Sequence, residues 1–217
     1  MSGAANKITA EIVNRVLDAI TKAGLVEVEV SARHVHLAEK DWEVIFGADK
    51  GGLTPKRPLS QPGQYLSEER VSLVTPKGRM DGVAVLGPFR GQTQVELSKS
   101  DCVALGIDAP IRESGHIDGS GRITIEGPKG AVTIPQGVII AKRHVHVPAA
   151  TARHLGFKNG EIVSVRLFTD RPVILLEVVL RVSDKFSYRM HIDFDEANAA
   201  DVRGFTLGQI MKQEAVQ

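Results

Sequence analysis

The tetrapeptide Arg-His-Val-His occurs twice in this chain, at Arg33–His36 and again at Arg143–His146. The surroundings match as well. VEVEVSARHVHL (26–37) parallels GVIIAKRHVHV (137–147), and after each a short helix-like stretch runs to a glycine, Gly47 or Gly156. A second pair of segments aligns more faintly. VLGPFRGQTQVELSKSDCVALG (85–106) resembles VVLRVSDKFSYRMHIDFDEANAAD (178–201), which sets Glu96 opposite His191. The chain reads as a duplicated unit, each copy carrying a His-x-His and one further candidate ligand. Two copies suit a pseudo-symmetric pair, because a solenoid needs about three or more repeats.

The hydrophobic pattern makes the fold β-rich. VEVEV (26–30) alternates with period 2, the signature of a half-buried strand. VSLV (71–74) and MDGVAVLG (80–87) flank a TPKG turn; RITIEG (122–127) and AVTIPQGVII (131–140) flank a PKG turn; EIVSVRLF (161–168) and VILLEVVLRV (173–182) flank TDRP. Turn residues between short apolar runs predict hairpins. Short helices are expected over 38–46, 99–105, 148–155 and 195–202. Residues 7–22 place Ile8, Ile12, Val13, Val16, Leu17 and Ile20 on one stripe, a helix that Gly24 stops. The Gly-, Pro- and Ser-rich segment 47–67 is long for a connector and is expected to form an excursion with its own contacts.

Side chains at i and i+2 of a strand share a face, so His34 projects with His36 and His144 with His146. Two such imidazoles can close on one divalent ion. Val26, Val28 and Val30 share parity with His34 and His36, so an unbroken strand would place those histidines on its apolar face. There they need a partner, since a buried unpaired polar group costs roughly 1–3 kcal/mol. A lone His-x-His is more simply a pair of hydrogen-bonded core histidines. Two copies in matching contexts favour metal. His191 and Glu96 are then the further ligands, and imidazole with carboxylate suits zinc or a related borderline ion. His116, in a loop, and His154, on a helix surface, read as structural or solvated.

Arg90 lies just before the Glu96 strand, and its planar fork suits phosphate or carboxylate. Ser114, in a Gly-flanked turn, is a weaker phosphate donor. Arg33 and Arg143 precede each His-x-His. Cys102 reads as a buried inert thiol.

Several function classes lose support. Lys+Arg 27 against Asp+Glu 26 leaves a net charge of +1, so no basic field makes nucleic acid a partner. One cysteine in 217 residues allows no internal disulfide and no Cys-built zinc finger. No uncharged stretch reaches the roughly 18 residues that span a bilayer, and the N-terminus lacks a signal-peptide pattern. P-loop, GxGxxG and GxSxG patterns are missing. The expectation is an intracellular protein with no membrane partner.

Taken in order, VSARHVHL, LSQPGQY, VLGPFRGQTQVELS, APIRESG, KRHVHV and MHIDFDEANAA resemble the blocks of the propanediol-utilisation-type phosphotransacylases, over about residues 26–205. The resemblance implies exchange of a short-chain acyl-CoA and phosphate for acyl phosphate and free coenzyme A. It implies a mainly β fold of two barrels capped by short α-helices. One barrel would take 25–32 and 142–211, and the other 33–141, with 47–67 contributing to a homodimer contact. It implies two zinc ions per chain: one held by His34 and His36, with a position open for substrate, the other by Glu96, His144, His146 and His191. Arg90 would bind phosphate and act in catalysis, with Ser114 beside it, while Ser31, Lys56 and Asn198 match positions near the coenzyme. The chain departs from the family's pattern at Ala84, where an arginine is usual, and in the SYRM wording before His191.

Residues 1–24 precede the matched region and resemble the extensions that carry such enzymes into the lumen of bacterial microcompartments, through contacts with shell or core proteins. The alternatives are a helix packed on its own barrel and an enzyme free in the cytoplasm. Two other functional classes compete with the transferase reading: a non-catalytic dimetal barrel that binds acyl-CoA or phosphate, and a zinc-dependent thioester hydrolase.

Overall fold

A computed structural model describes residues 3–212. In chain order the elements begin with α1 (Gly3–Lys22), β1 (Leu25–Val30), β2 (His34–Ala38), α2 (Glu39–Phe46), β3 (Pro55–Pro58), β4 (Tyr65–Val74), β5 (Arg79–Arg90) and β6 (Gln94–Leu97). There follow α3 (Lys99–Leu105), β7 (Ile111–Arg112), β8 (Gly121–Glu126), β9 (Ala131–Ala141), β10 (His144–Val147) and α4 (Ala149–Leu155). The last are β11 (Ile162–Leu167), β12 (Ile174–Val182), β13 (Arg189–Ile192), α5 (Phe194–Ala199) and β14 (Thr206–Lys212). The fold is mainly β, and the hairpins expected around TPKG, PKG and TDRP all form. The last short helix begins and ends earlier than the sequence pattern suggests, at Phe194 and Ala199.

The chain divides into two compact units. The first takes the chain through Glu29, then Arg143–His191 and the chain from Ala199; the second takes Val30–Lys142 and Ile192–Asn198. In the first unit the strands close a barrel in the order β1-β13-β10-β12-β11-β14. In the second the order is β3-β4-β5-β2-β6-β9-β7, and β8 pairs with both β4 and β9. The path β4-β5-β2-β6-β9-β8 therefore also returns on itself, with β3 and β7 appended.

The two rings repeat each other in register. β2 runs parallel to β5 with His34 opposite Ala84, and antiparallel to β6 with His34 opposite Glu96. β10 runs parallel to β12 with His144 opposite Val179, and antiparallel to β13 with His144 opposite His191. The helix after each third strand is capped alike. Ser98 and Asp101 form a capping box at α3, and Asp193 and Glu196 exchange the same pair of bonds at α5.

One feature departs from simple duplication. β1 leads into β2 but closes the ring of β10, while β9 leads into β10 but lies in the ring of β2. The first and second halves exchange their leading strands. The crossing explains a second difference. The strand of VEVEV is not continuous with the first His-x-His, because residues 31–33 leave β1 before β2 begins. In β2 it is Val35 and Leu37, both fully buried, that enter the core with Val71, Leu73, Val85, Val95 and Leu97. His34 and His36 thus take the face turned away from that core, and do not continue the apolar face of Val26 and Val28. Each fully buried Val or Leu contributes roughly 1.5–3 kcal/mol, which fixes the parity of β2 and leaves the opposite face for chemistry.

The excursion over 47–67 is pinned from below. Glu69 occupies an inward position of β4, alternating with buried Ser67, Val71 and Leu73. Its carboxylate accepts from Lys50 Nζ at 2.7 Å and from the Thr54 backbone N–H at 3.1 Å.

Candidate metal centre and anion clamp

In the second unit the register sets the site. His34 and Glu96 are directly opposed on β2 and β6, and His36 follows two residues along the same face. All three are buried. Among the described residues they are the group whose His, Cys, Asp or Glu ligand atoms all lie within 4.8 Å of one another. Glu96 thus stands with His34 and His36, whereas the resemblance groups it with His144, His146 and His191.

The tautomers are fixed by what each nitrogen meets. His34 Nδ1 lies 2.8 Å from the Ala32 carbonyl, which only accepts, so Nδ1 carries the proton. Its Nε2 points at the carboxylate, 3.5 Å from Glu96 Oε2. His36 Nδ1 is buried with no hydrogen-bond partner among the described residues. Burial, aided by the nearby His34 and Arg90 charges, pushes the His36 pKa well below its ordinary value, so the ring is neutral. Burial alone would raise the Glu96 carboxyl. His34, His36, a hydrogen bond from Ser114 and the Arg90 charge outweigh it and hold it down at about 2. A neutral imidazole with an orphaned nitrogen, a second whose Nε2 faces the same point and an ionised carboxylate are the donor types that zinc takes. The residues present fit a divalent ion.

A candidate anion clamp adjoins this group. Arg90 Nη1 donates to Ser114 Oγ at 2.8 Å, which brings the two predicted phosphate residues together. Gln94 Nε2 donates to the same oxygen at 2.9 Å and to Glu96 Oε1 at 2.6 Å. Sequence reasoning passed over Gln94, although its i, i+2 relation to Glu96 places it on the site's face.

The residues matched to coenzyme positions lie in this unit too. Ser31 is half-buried, and its N–H donates to the Ile192 carbonyl at 2.7 Å. Asn198 is exposed at the end of α5, and Lys56 is exposed on β3 in an ion pair with Glu68. Arg33 sits in the crossing segment, bound to buried Asp101 at 2.8 Å and lying 5.9 Å over the Phe194 ring. Cys102 is fully buried, and burial pushes its thiol up to about 11, an inert group. His116 and His154 are exposed, as expected.

The first unit assembles the second imidazole set. His144 and His191 stack at 5.3 Å, and His146 meets them edge-on at 4.7 and 5.1 Å. His144 Nε2 faces His146 Nε2 at 2.9 Å, a pair that can share one proton or one cation. His146 Nδ1 is buried with no hydrogen-bond partner among the described residues. Burial, with the His144, His191 and Arg181 charges, lowers its pKa to about 2. Phe186 covers its ring at 4.2 Å. Beside this set, Arg189 on β13 pairs with Glu27 at 2.9 Å and lies 3.7 Å from Glu29.

Comparison with known proteins decides the family. The phosphate propanoyltransferase family model matches residues 27–203.

The chain belongs to the phosphate propanoyltransferase family.

Curated relatives agree. A phosphate propanoyltransferase of Sebaldella termitidis is 47% identical over 186 residues, 86% of this chain and 88% of its own. One from Listeria monocytogenes is 44% identical over 207 residues, covering 94% and 97%. One from Thermotoga maritima is 44% identical over 189 residues, covering 87% and 90%. Membership makes the chain an enzyme of the phosphotransacylase kind. The His-x-His strands, Glu96 and Arg90 all fall inside the matched span. All of α1 lies before it. No helix among the described residues is long and apolar enough to cross a membrane.

Proposed function

We propose that this phosphotransacylase interconverts a short-chain acyl-CoA, propanoyl-CoA or a near relative, and phosphate with the acyl phosphate and coenzyme A, using two zinc ions. The observation that carries the reading is the His34/His36/Glu96 group with its orphaned nitrogen, joined by hydrogen bonds to the Arg90–Ser114 pair. His34, His36 and Glu96 would hold one ion, and His144, His146 and His191 the other. A bound divalent ion supplies Lewis acidity for the negative charge that develops when a thioester is attacked.

The chain's own residues do the rest. Arg90 binds the phosphate by charge and by its planar fork, and holds a phosphate oxygen for attack on the thioester carbonyl. A C–O bond forms, the C–S bond breaks, and the electron pair leaves on the coenzyme sulfur. Neutral His36 in one unit and neutral His146 in the other keep each imidazole set from repelling a cation. Ser31, Lys56 and Asn198 are read as coenzyme contacts. Lys56 is held by Glu68 at 2.9 Å, so it exchanges that partner for a coenzyme phosphate. Ala84, opposite His34, stands where the family usually has an arginine, so its methyl group supplies no charge to a coenzyme phosphate.

The family resemblance and α1 support encapsulation in a bacterial microcompartment. Ile8, Ile12, Val13, Val16 and Leu17 are each about half exposed or more, an apolar stripe suited to shell or core proteins. The excursion over 47–67 is read as the homodimer contact.

The deciding assay follows acyl-CoA consumption with and without phosphate. Loss of the thioester only with phosphate, matched by acyl phosphate formed, supports the transferase. Turnover at the same rate without phosphate makes the chain a hydrolase, and binding without turnover makes it a non-catalytic barrel.

A further inference from the structure

Gln94 has no role in the reaction as described so far, yet it is among the most buried polar residues of the second unit, at 2% exposure. It lies on β6 two positions before Glu96, facing away from the core residues Val95 and Leu97. Its amide orientation follows from its neighbours. The Gly115 N–H can only donate, and it meets Gln94 Oε1 at 2.7 Å. The Glu96 carboxylate can only accept, and it meets Nε2 at 2.6 Å. The other Nε2 proton reaches Ser114 Oγ at 2.9 Å, which also accepts from Arg90 at 2.8 Å. Both lone pairs of the Ser114 hydroxyl are thereby used. Its one proton is left for Glu96, in line with the hydrogen bond by which Ser114 helps hold that carboxyl down.

We propose that Gln94 is a positioning residue that fixes the Glu96 carboxylate for metal binding and ties it to the Arg90–Ser114 phosphate clamp through the backbone of Gly115. This inference rests on reading His34, His36 and Glu96 as a metal centre. A glutamate side chain has several rotamers of similar energy. The Gln94 and Ser114 donors select the one that faces the two imidazoles. The Gly115 bond anchors the loop carrying Ser114 to the same amide, so the phosphate site and the ligand carboxylate are held as one piece. Groups that orient a metal ligand typically change affinity 10–100-fold when removed.

The test uses the purified full chain and Gln94→Leu, which keeps the volume and loses all three hydrogen bonds. Zinc affinity is read by competition with a chromophoric chelator, and the KM values for phosphate and acyl-CoA are measured separately. The expected result is zinc binding about 10–100-fold weaker at one site, a raised phosphate KM and an unchanged acyl-CoA KM. Gln94→Asn, which keeps the amide but shortens its arm, guards against misfolding and is expected to fall between the two. Wild-type zinc affinity in a folded variant overturns the inference, and so does an equal rise in both KM values. A wild-type chain that takes up no divalent ion overturns the metal reading itself, an outcome distinct from either.

Discussion

Glu69→Gln tests the clamp on the excursion that carries Lys56. The Glu69 side chain is fully buried, and its carboxylate takes Lys50 Nζ and the Thr54 N–H. Burial alone would raise its pKa, but the Lys50 and Thr54 bonds outweigh it and hold the group at about 2 against an ordinary 4.5. A shift of that size corresponds to roughly 3 kcal/mol if taken whole. Lys50 is 39% exposed, so solvent screens part of it, and about 1–2 kcal/mol is the working figure. The folded-state pKa is depressed, so this stability is fully present above pH 4.5 and is lost as pH falls from 4.5 toward 2. Urea midpoints at pH 7 and pH 3 measure it. The variant should be less stable than wild type at pH 7, and the gap should narrow at pH 3. A gap of equal size at both pH values refutes the electrostatic account and leaves only lost packing. If the clamp also sets Lys56 for the coenzyme, the variant's acyl-CoA KM rises while its phosphate KM holds.

Three further outcomes are expected. His144→Ala should remove one of two zinc ions per chain by elemental analysis; unchanged metal content refutes the ligand assignment. Arg90→Ala should raise the phosphate KM more than the acyl-CoA KM, and an effect on acyl-CoA alone removes Arg90 from the phosphate role. Glu177→Gly should stabilise the chain by about 0.5–1 kcal/mol in urea titration. Glu177 is exposed and held at φ 52, where a side chain is strained, and Gly82, at the matching place two residues before the partner of the first histidine, has φ 70. A loss of stability would mean the Glu177 side chain, not the backbone, sets that bend.

What the sequence disclosed of the site, it disclosed through repetition. Aligning Glu96 with His191 rested on a faint match, and the sheet registers give the physical basis: each stands opposite the first histidine of its strand. The capping residues Ser98 and Asp193 follow the same alignment. The hydrophobic pattern alone does not give the destination of each strand. Alternation in VEVEV shows a buried face but carries no information about which ring buries it; the change of barrel after residue 32 follows only from the family resemblance, and the parity argument for His34, which needs an unbroken strand, fails at residues 31–33. Gln94 was hidden for a different reason. A glutamine beside a carboxylate has no distinctive pattern; its meaning comes from Gly115 and Ser114, about twenty residues away in sequence and adjacent only after folding.

The traded leading strands have a consequence for how the chain can be divided. Neither the first 130 or so residues nor the remainder encodes a full ring, because each piece lacks one stave and holds a spare belonging to the other. Cut there, between β8 and β9, the fragments can complete their rings only by reassociating.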